Sequence, residues 1–203
     1  MSNKQLIIGE CYKQGIELVP QIAYVLATVE WETNKTFEPV KEAYWLSENW
    51  RKNNLRYYPY YGRGFVQITW KENYKKFSDI LNQDFVSNPD KVMNPNISAF
   101  ILVYGFKHGI FTGKKISDYI NERLVDYYGA RRCINGTDKA YSIAEIAEKY
   151  EKELSKSDVI INKKKEKTIN LQTFLNGYGY GLVVDGIYGK NTKKALDTFV
   201  STL

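Results

Sequence analysis

Five glutamates, Glu30, Glu32, Glu38, Glu42 and Glu48, fall within nineteen residues of the 203-residue chain. Glutamates at that density most often form a solvated face. Two of them are placed for more. Glu32 directly follows the apolar run Ile22, Val25, Leu26 and Val29, where partial desolvation would raise a carboxylic acid toward the pKa that a general acid needs. Glu42 lies ten residues on, beyond Phe37 and Pro39, and is expected across a groove. Two carboxylates with room for a water between them are the minimum equipment of inverting glycoside hydrolysis: one protonates the leaving oxygen and the other activates the water. Glu30 and Glu48 compete for the same two roles.

A second group of chemically capable residues sits in YYGRGFVQITWKENY, residues 60–74. Gly62 and Gly64 permit a tight turn, and Tyr61, Arg63, Gln67, Thr69, Asn73 and Tyr74 gather hydroxyls, a guanidinium and two amides in one short string. Such groups suit a sugar site, although G-R-G alone could equally be a turn before a strand. The single histidine, His108, has no carboxylate in its own motif and reads as packing or surface. No group of residues has zinc or calcium ligand spacing, so neither a metal nor a cofactor is expected.

The elements that must hold these residues read as mainly helical. Apolar spacing gives two helices over residues 4–31, broken near residues 15–20, the second strongly buried. Helical spacing returns at residues 97–109 and 143–154, while residues 49–64, polar and aromatic with a proline and two glycines, read as loop or short hairpin. After Leu154 the lysine-rich stretch 155–167 lacks an amphipathic period and reads as a linker. The organisation expected is a first domain at 1–154, the linker at 155–167 and a small second domain at 168–203.

Composition bounds the rest. Hydrophobic residues are 43% and charged residues 26%, values of a globular protein with a core, and no run approaches the ~18 apolar residues of a membrane span. The opening MSNKQLIIGECYKQG has an apolar run too short for a secretory signal, and Cys11 and Cys133 are expected to be free thiols. The net charge of +6 and pI near 9.0 favour polyanionic partners. Eight lysines against four acids after Leu154 carry most of that charge.

Read in order, WETNKTFEPVKE, YYGRGFVQITWKENY, GIFTGKKISDYI and ARRCINGTDKA resemble the family 19 glycoside hydrolases, in the bacterial and phage branch used as endolysins. The resemblance spans about residues 20–154. It implies a helical, lysozyme-like domain with a small β hairpin, acting by inversion. It makes Glu32 the proton donor, although Trp31 stands where the family has histidine, and Glu42 the base. Thr69 matches the hydroxyl that helps hold the attacking water. Gln67, Asn73 and Tyr74 match substrate-contacting positions, with Tyr61 beside them, and Asn135 matches a residue lining the far side of the cleft. Arg63 matches an arginine assigned here to the same substrate site, with a role in organising the loop as the alternative.

The tail INLQTFLNGYGYGLVVDGIYGKNTKKALDTFV resembles the small three-helix peptidoglycan-binding domain of wall hydrolases. In it, Asp185–Gly186 and Tyr188–Gly189 would form a turn, and Asn191 or Thr192 would cap the last helix. Together the two resemblances imply an endolysin that cuts β-1,4 bonds of bacterial peptidoglycan as an N-acetylmuramidase. Such a protein would be a monomer that accumulates in the host cytoplasm and reaches the wall through a holin-like pore, with no membrane insertion and no nucleic-acid partner. A chitinase acting on N-acetylglucosamine polymers and an inactive wall-binding protein are the alternative readings.

Overall fold

A computed structural model of the chain describes residues 2–201, and of residues 157–163 the backbone only. It divides into two compact units, Met1–Glu151 and Lys152–Leu203. No helix among the described residues is long and apolar enough to cross a membrane.

In the first unit, helix α1 (Asn3–Lys13) begins at a capping box in which Ser2 and Gln5 bond each other reciprocally, which satisfies two otherwise orphaned N–H groups. It ends before Gly15, whose φ of +74° breaks the chain, and Pro20 in the first turn of α2 (Val19–Glu32) restarts it. Residues 21–29 of α2 are all buried, so this helix runs through the core and delivers Glu32 at its C-terminal end. Helix α5 (Pro95–His108), capped by Asn94 and stopped by Gly109, is the other apolar rod. These three helices match the apolar spacing of the sequence.

The middle of the unit departs from that spacing. Of residues 49–64, expected as loop or short hairpin, the first six lie in α3 (Glu48–Asn54), capped by Ser47. Its only buried residue is Arg51, so no apolar stripe announces it. Strand β1 (Val40–Lys41) pairs antiparallel with β2 (Arg63–Gly64), with Val40 opposite Gly64 and Lys41 opposite Arg63. Helix α4 (Lys71–Leu81) follows. A second hairpin, β3 (Ile120–Asn121) and β4 (Leu124–Val125), precedes the short α6 (Tyr127–Ala130).

Helix α7 is assigned over Ala140–Gly177 and contributes to both units. The stretch 155–167 is therefore helical rather than an irregular linker. Lysine and glutamate are good helix formers, and the missing amphipathic period did not argue against a helix. Among its described residues the second unit holds the end of α7 and α8 (Lys190–Ser201), two helices where three were expected, joined by the non-helical residues 178–189. Buried Gln172 donates to Asp185, the Ile187 carbonyl and Thr192, and accepts from Gly186 N–H. Asn191 and Thr192 lie inside α8 rather than at its cap, and the Thr192 hydroxyl donates to the Ile187 carbonyl.

Candidate active site

Glu32 stands at the last residue of α2. Its side chain is one-fifth exposed, and its Oε1 accepts a 2.9 Å bond from Nη1 of Arg131, which is itself buried. Arg131 Nε donates to the Asp138 carbonyl. A guanidinium held at one end by a carbonyl and at the other by Glu32 fixes where that carboxyl points.

Glu42 follows β1, and the hairpin continues through it. Its N–H donates to the Gly62 carbonyl at 2.7 Å, and its Oε2 accepts from Gly62 N–H at 2.9 Å. Its Oε1 accepts a 2.6 Å bond from the Tyr57 hydroxyl. Burial first, and then this bond, pushes the Tyr57 phenol up to about 12, so it stays a donor across the neutral range. A Cβ at position 62 would stand 2.8 Å from Gln67 Oε1 and 3.3 Å from Glu42 Oε2, so a side chain there would displace the Gln67 amide and crowd the carboxylate. Arg51, nearly buried, donates through Nε to the Glu42 carbonyl and through Nη2 to the Ala43 carbonyl. The carboxylate and its backbone are thus anchored separately.

The rivals to these two are committed elsewhere. Glu30 accepts from the Tyr150 hydroxyl. Glu48 accepts from the Tyr61 hydroxyl at 2.9 Å and from Arg51 Nη1 at 3.1 Å.

Thr69 is half-buried, and its hydroxyl donates to the Gln67 carbonyl at 3.0 Å. With its proton spent there, the oxygen is left as an acceptor. Asn73 Nδ2 donates to the Thr69 carbonyl at 2.7 Å, leaving Asn73 Oδ1 to accept. Asn135 is exposed, one turn beyond Arg131, and its Oδ1 accepts from Gly136 N–H.

Four residues expected to touch substrate are placed to support the loop. Tyr61 and Tyr74 are fully buried, and Arg63 is 2% exposed. Arg63 donates to Asp90 Oδ1, to the Pro59 and Tyr61 carbonyls and to the Tyr74 hydroxyl, and it lies 3.7 Å from the centre of the Tyr61 ring. Tyr74 in turn donates to the Tyr61 carbonyl at 2.7 Å. Gln67 donates both amide hydrogens to backbone, the Val40 and Gly64 carbonyls. A buried guanidinium needs hydrogen-bond partners, and here two backbone carbonyls supply them together with Asp90 and the Tyr74 hydroxyl, an arrangement that sequence cannot show. Conversely, Arg131, Arg51 and Tyr57 were not singled out. The ARRCING string offered a signal for Arg131; nothing offered one for the other two.

Backbone strain gathers in the same region. Among the described residues, six of the eight non-glycine positions with positive φ, Asn34, Lys35, Phe37, Ala43, Gln67 and Trp70, lie between Glu32 and α4. Each costs on the order of 1 kcal/mol, and such conformations concentrate at binding and catalytic sites. No group of three or more histidines, cysteines or carboxylates that could hold a metal occurs among the described residues. His108 lies against the Tyr104 ring at 4.1 Å.

Residues 28–113 match the family model described as Chitinase class I, of glycoside hydrolase family 19. That segment carries Glu32, Glu42 and Thr69 and ends before Arg131 and Asn135. Among curated proteins, the chain is 35% identical over 100 residues to "Chitinase 11" of Oryza sativa subsp. japonica, a match over 41% of this chain and 39% of that protein. The match thus spans about two-fifths of the relative's length. Among solved structures, it is similar to a bacterial family 19 chitinase, with 24% identity, a TM-score of 0.45 and 66% and 73% of the two chains covered. A second is chitinase C from Streptomyces griseus HUT6037, with 20% identity, a TM-score of 0.42 and 63% and 60% covered.

Proposed function

We propose, with the family match over residues 28–113 as the premise, that the first unit hydrolyses β-1,4 bonds between N-acetylated sugars by an inverting acid–base reaction. The observation that carries the proposal is the Glu42 carboxylate, fixed on both oxygens by the Tyr57 hydroxyl and Gly62 N–H. Such a carboxylate is oriented without being neutralised by a cation, as a base must be. Glu32, steered through Oε1 by Arg131, acts as the acid with its proton on Oε2, which it gives to the leaving glycosidic oxygen. Glu42 takes a proton from the attacking water, whose other hydrogen the Thr69 oxygen accepts. The engagement of Glu48 with Arg51 and Tyr61 favours Glu42 over Glu48 as the base.

The proposed substrate is bacterial peptidoglycan, cut as an N-acetylmuramidase, and the proposed biological role is that of an endolysin. Support comes from the second unit, whose sequence resembles a wall-binding module. It carries a groove of about 550 Å³ lined by Gln172, Tyr180, Asp185, Lys190 and Thr198 among others. A module that holds the wall would raise the effective concentration of glycan at the first unit. In this reading the protein is made in the host cytoplasm and reaches the wall through a holin-like pore. Chitin is the second reading, favoured by the class I chitinase match itself. Release of soluble fragments from peptidoglycan but not from chitin, abolished in Glu32→Gln, supports the first reading. The reverse preference supports the second, and fragments from neither glycan contradict both.

A further inference from the structure

Two of the largest exposed aromatic surfaces of the first unit lie side by side immediately after Glu42. Tyr44 is 60% exposed and Trp45 71%. Their rings meet edge to face, with centres 5.2 Å apart and planes at 85°. Aromatic side chains of this size ordinarily gain by burial, and among the described residues each of these two rings has only the other as a ring neighbour.

The backbone that presents them is built to hold that position. Ala43 is fixed in the left-handed region at φ +49°, a conformation that disfavours a side chain. Its carbonyl accepts both from Arg51 Nη2 at 3.0 Å and from Leu46 N–H at 2.9 Å. The turn then runs directly into α3, capped by Ser47. The same Arg51 donates to the Glu42 carbonyl. The exposed pair and the candidate base are therefore fixed to one buried guanidinium.

We propose that Trp45, braced edge-on by Tyr44, forms a sugar-binding platform beside the candidate base, its ring stacking on the apolar face of an N-acetylhexosamine ring beyond the one attacked while Tyr44 meets that sugar's edge. This rests on the reading of Glu42 as the base. The chemistry of the occupant follows from the pair itself. A pyranose ring offers one face of C–H groups to an aromatic plane and polar edges to water, which suits rings as exposed as these, whereas a protein or lipid partner would need a wider apolar surface. The Tyr44 hydroxyl and Trp45 indole N–H add donors at the rim for the sugar's oxygens.

The platform acts on binding of extended glycans, and its test separates it from catalysis. Wild-type protein, Trp45→Ala, Trp45→Phe and Tyr44→Ala are compared on oligomers of increasing length drawn from peptidoglycan or from chitin, whichever glycan the wild type cleaves. For Trp45→Ala the expected result is KM for the longest oligomers raised about tenfold, which corresponds to about 1.4 kcal/mol. The turnover number and the thermal midpoint should stay within twofold and a few degrees of wild type, and Trp45→Phe should recover part of the loss. Equal KM values for wild type and Trp45→Ala at every length would overturn the proposal. If wild-type protein cleaves no glycan, the catalytic reading fails by itself. Titration of tryptophan fluorescence with N-acetylglucosamine hexamer then decides the platform: a quench present in wild type and lost in Trp45→Ala upholds it, and identical traces refute it.

Discussion

Replacing Arg63 by alanine should cost about 3 kcal/mol of folding stability, because the guanidinium is the hub of the loop rather than a substrate contact. The figure follows from its partners. Removing one member of a buried, hydrogen-bonded charge pair costs ~3–5 kcal/mol. The upper part of that range does not apply, since the Asp90 side chain is 54% exposed and can rehydrate. The Tyr61 carbonyl also keeps the Tyr74 hydroxyl as a donor. The Pro59 carbonyl has no such substitute among its described bonds, and the Tyr61 ring loses a cation at 3.7 Å. For a domain stable by ~5–15 kcal/mol, this is a large fraction. Equilibrium urea unfolding of wild type and Arg63→Ala measures it directly through the midpoint at constant slope. Arg63→Lys should recover less than half of the loss, because an ammonium cannot fork to four acceptors. A loss below ~1 kcal/mol, within the spread of ordinary substitutions, would refute the reasoning and return Arg63 to the substrate.

Tyr57→Phe removes the 2.6 Å bond to Glu42; a charge-assisted bond contributes roughly 1.5–3 kcal/mol, so turnover should fall about tenfold or more with little change in KM, as steady-state kinetics would show. Hydrogen bonds from Lys41 and Arg63 outweigh burial and hold the Asp90 carboxyl below its ordinary range. A depressed folded pKa stabilises above the unfolded value and loses that contribution as pH falls through the folded one. Asp90→Asn should therefore flatten the acid limb of a stability–pH profile below about pH 4, the unfolded range of aspartate, and an unchanged limb would contradict the assignment. Burial pushes both the Cys11 and Cys133 thiols up to about 12. A thiol reagent at pH 8 should find neither in the native protein and both after denaturation.

The parts of the fold that sequence foretold are those in which burial follows the helical period. The break at Gly15 and Pro20, the core helix ending at Glu32 and the Asn94-capped α5 all carry local signals. Helix α3 was invisible because its single inward residue is an arginine whose backbone acceptors, the Glu42 and Ala43 carbonyls, are brought to it by tertiary structure. The same cause explains the site. Glu32, Glu42 and Thr69 could be named from motif order, whereas their partners, Arg131 for the first, Tyr57 and Gly62 for the second and the Gln67 carbonyl for the third, could not. For Tyr61, Arg63 and Tyr74, the residue types were right for sugar recognition but the environment was not: all three are buried, Arg63 and Tyr74 bond each other and the Tyr61 carbonyl, and the Tyr61 ring lies against the guanidinium. Gln67 differs only in degree, its amide hydrogens turned onto the hairpin it braces. Side-chain chemistry was legible, and the backbone carbonyls that claim it were not.

The central claim is that Glu32 and Glu42 together hydrolyse a β-1,4 glycan, and the most direct test is the identity of the ends they release. Purified protein is incubated with peptidoglycan, and the fragments are analysed by mass spectrometry with and without borohydride reduction, alongside Glu32→Gln and Glu42→Gln. The account predicts reducible N-acetylmuramic acid ends, with release lowered at least a hundredfold in each variant, the scale on which general acid–base groups act. Anhydro ends, or release that survives Glu42→Gln undiminished, would contradict it.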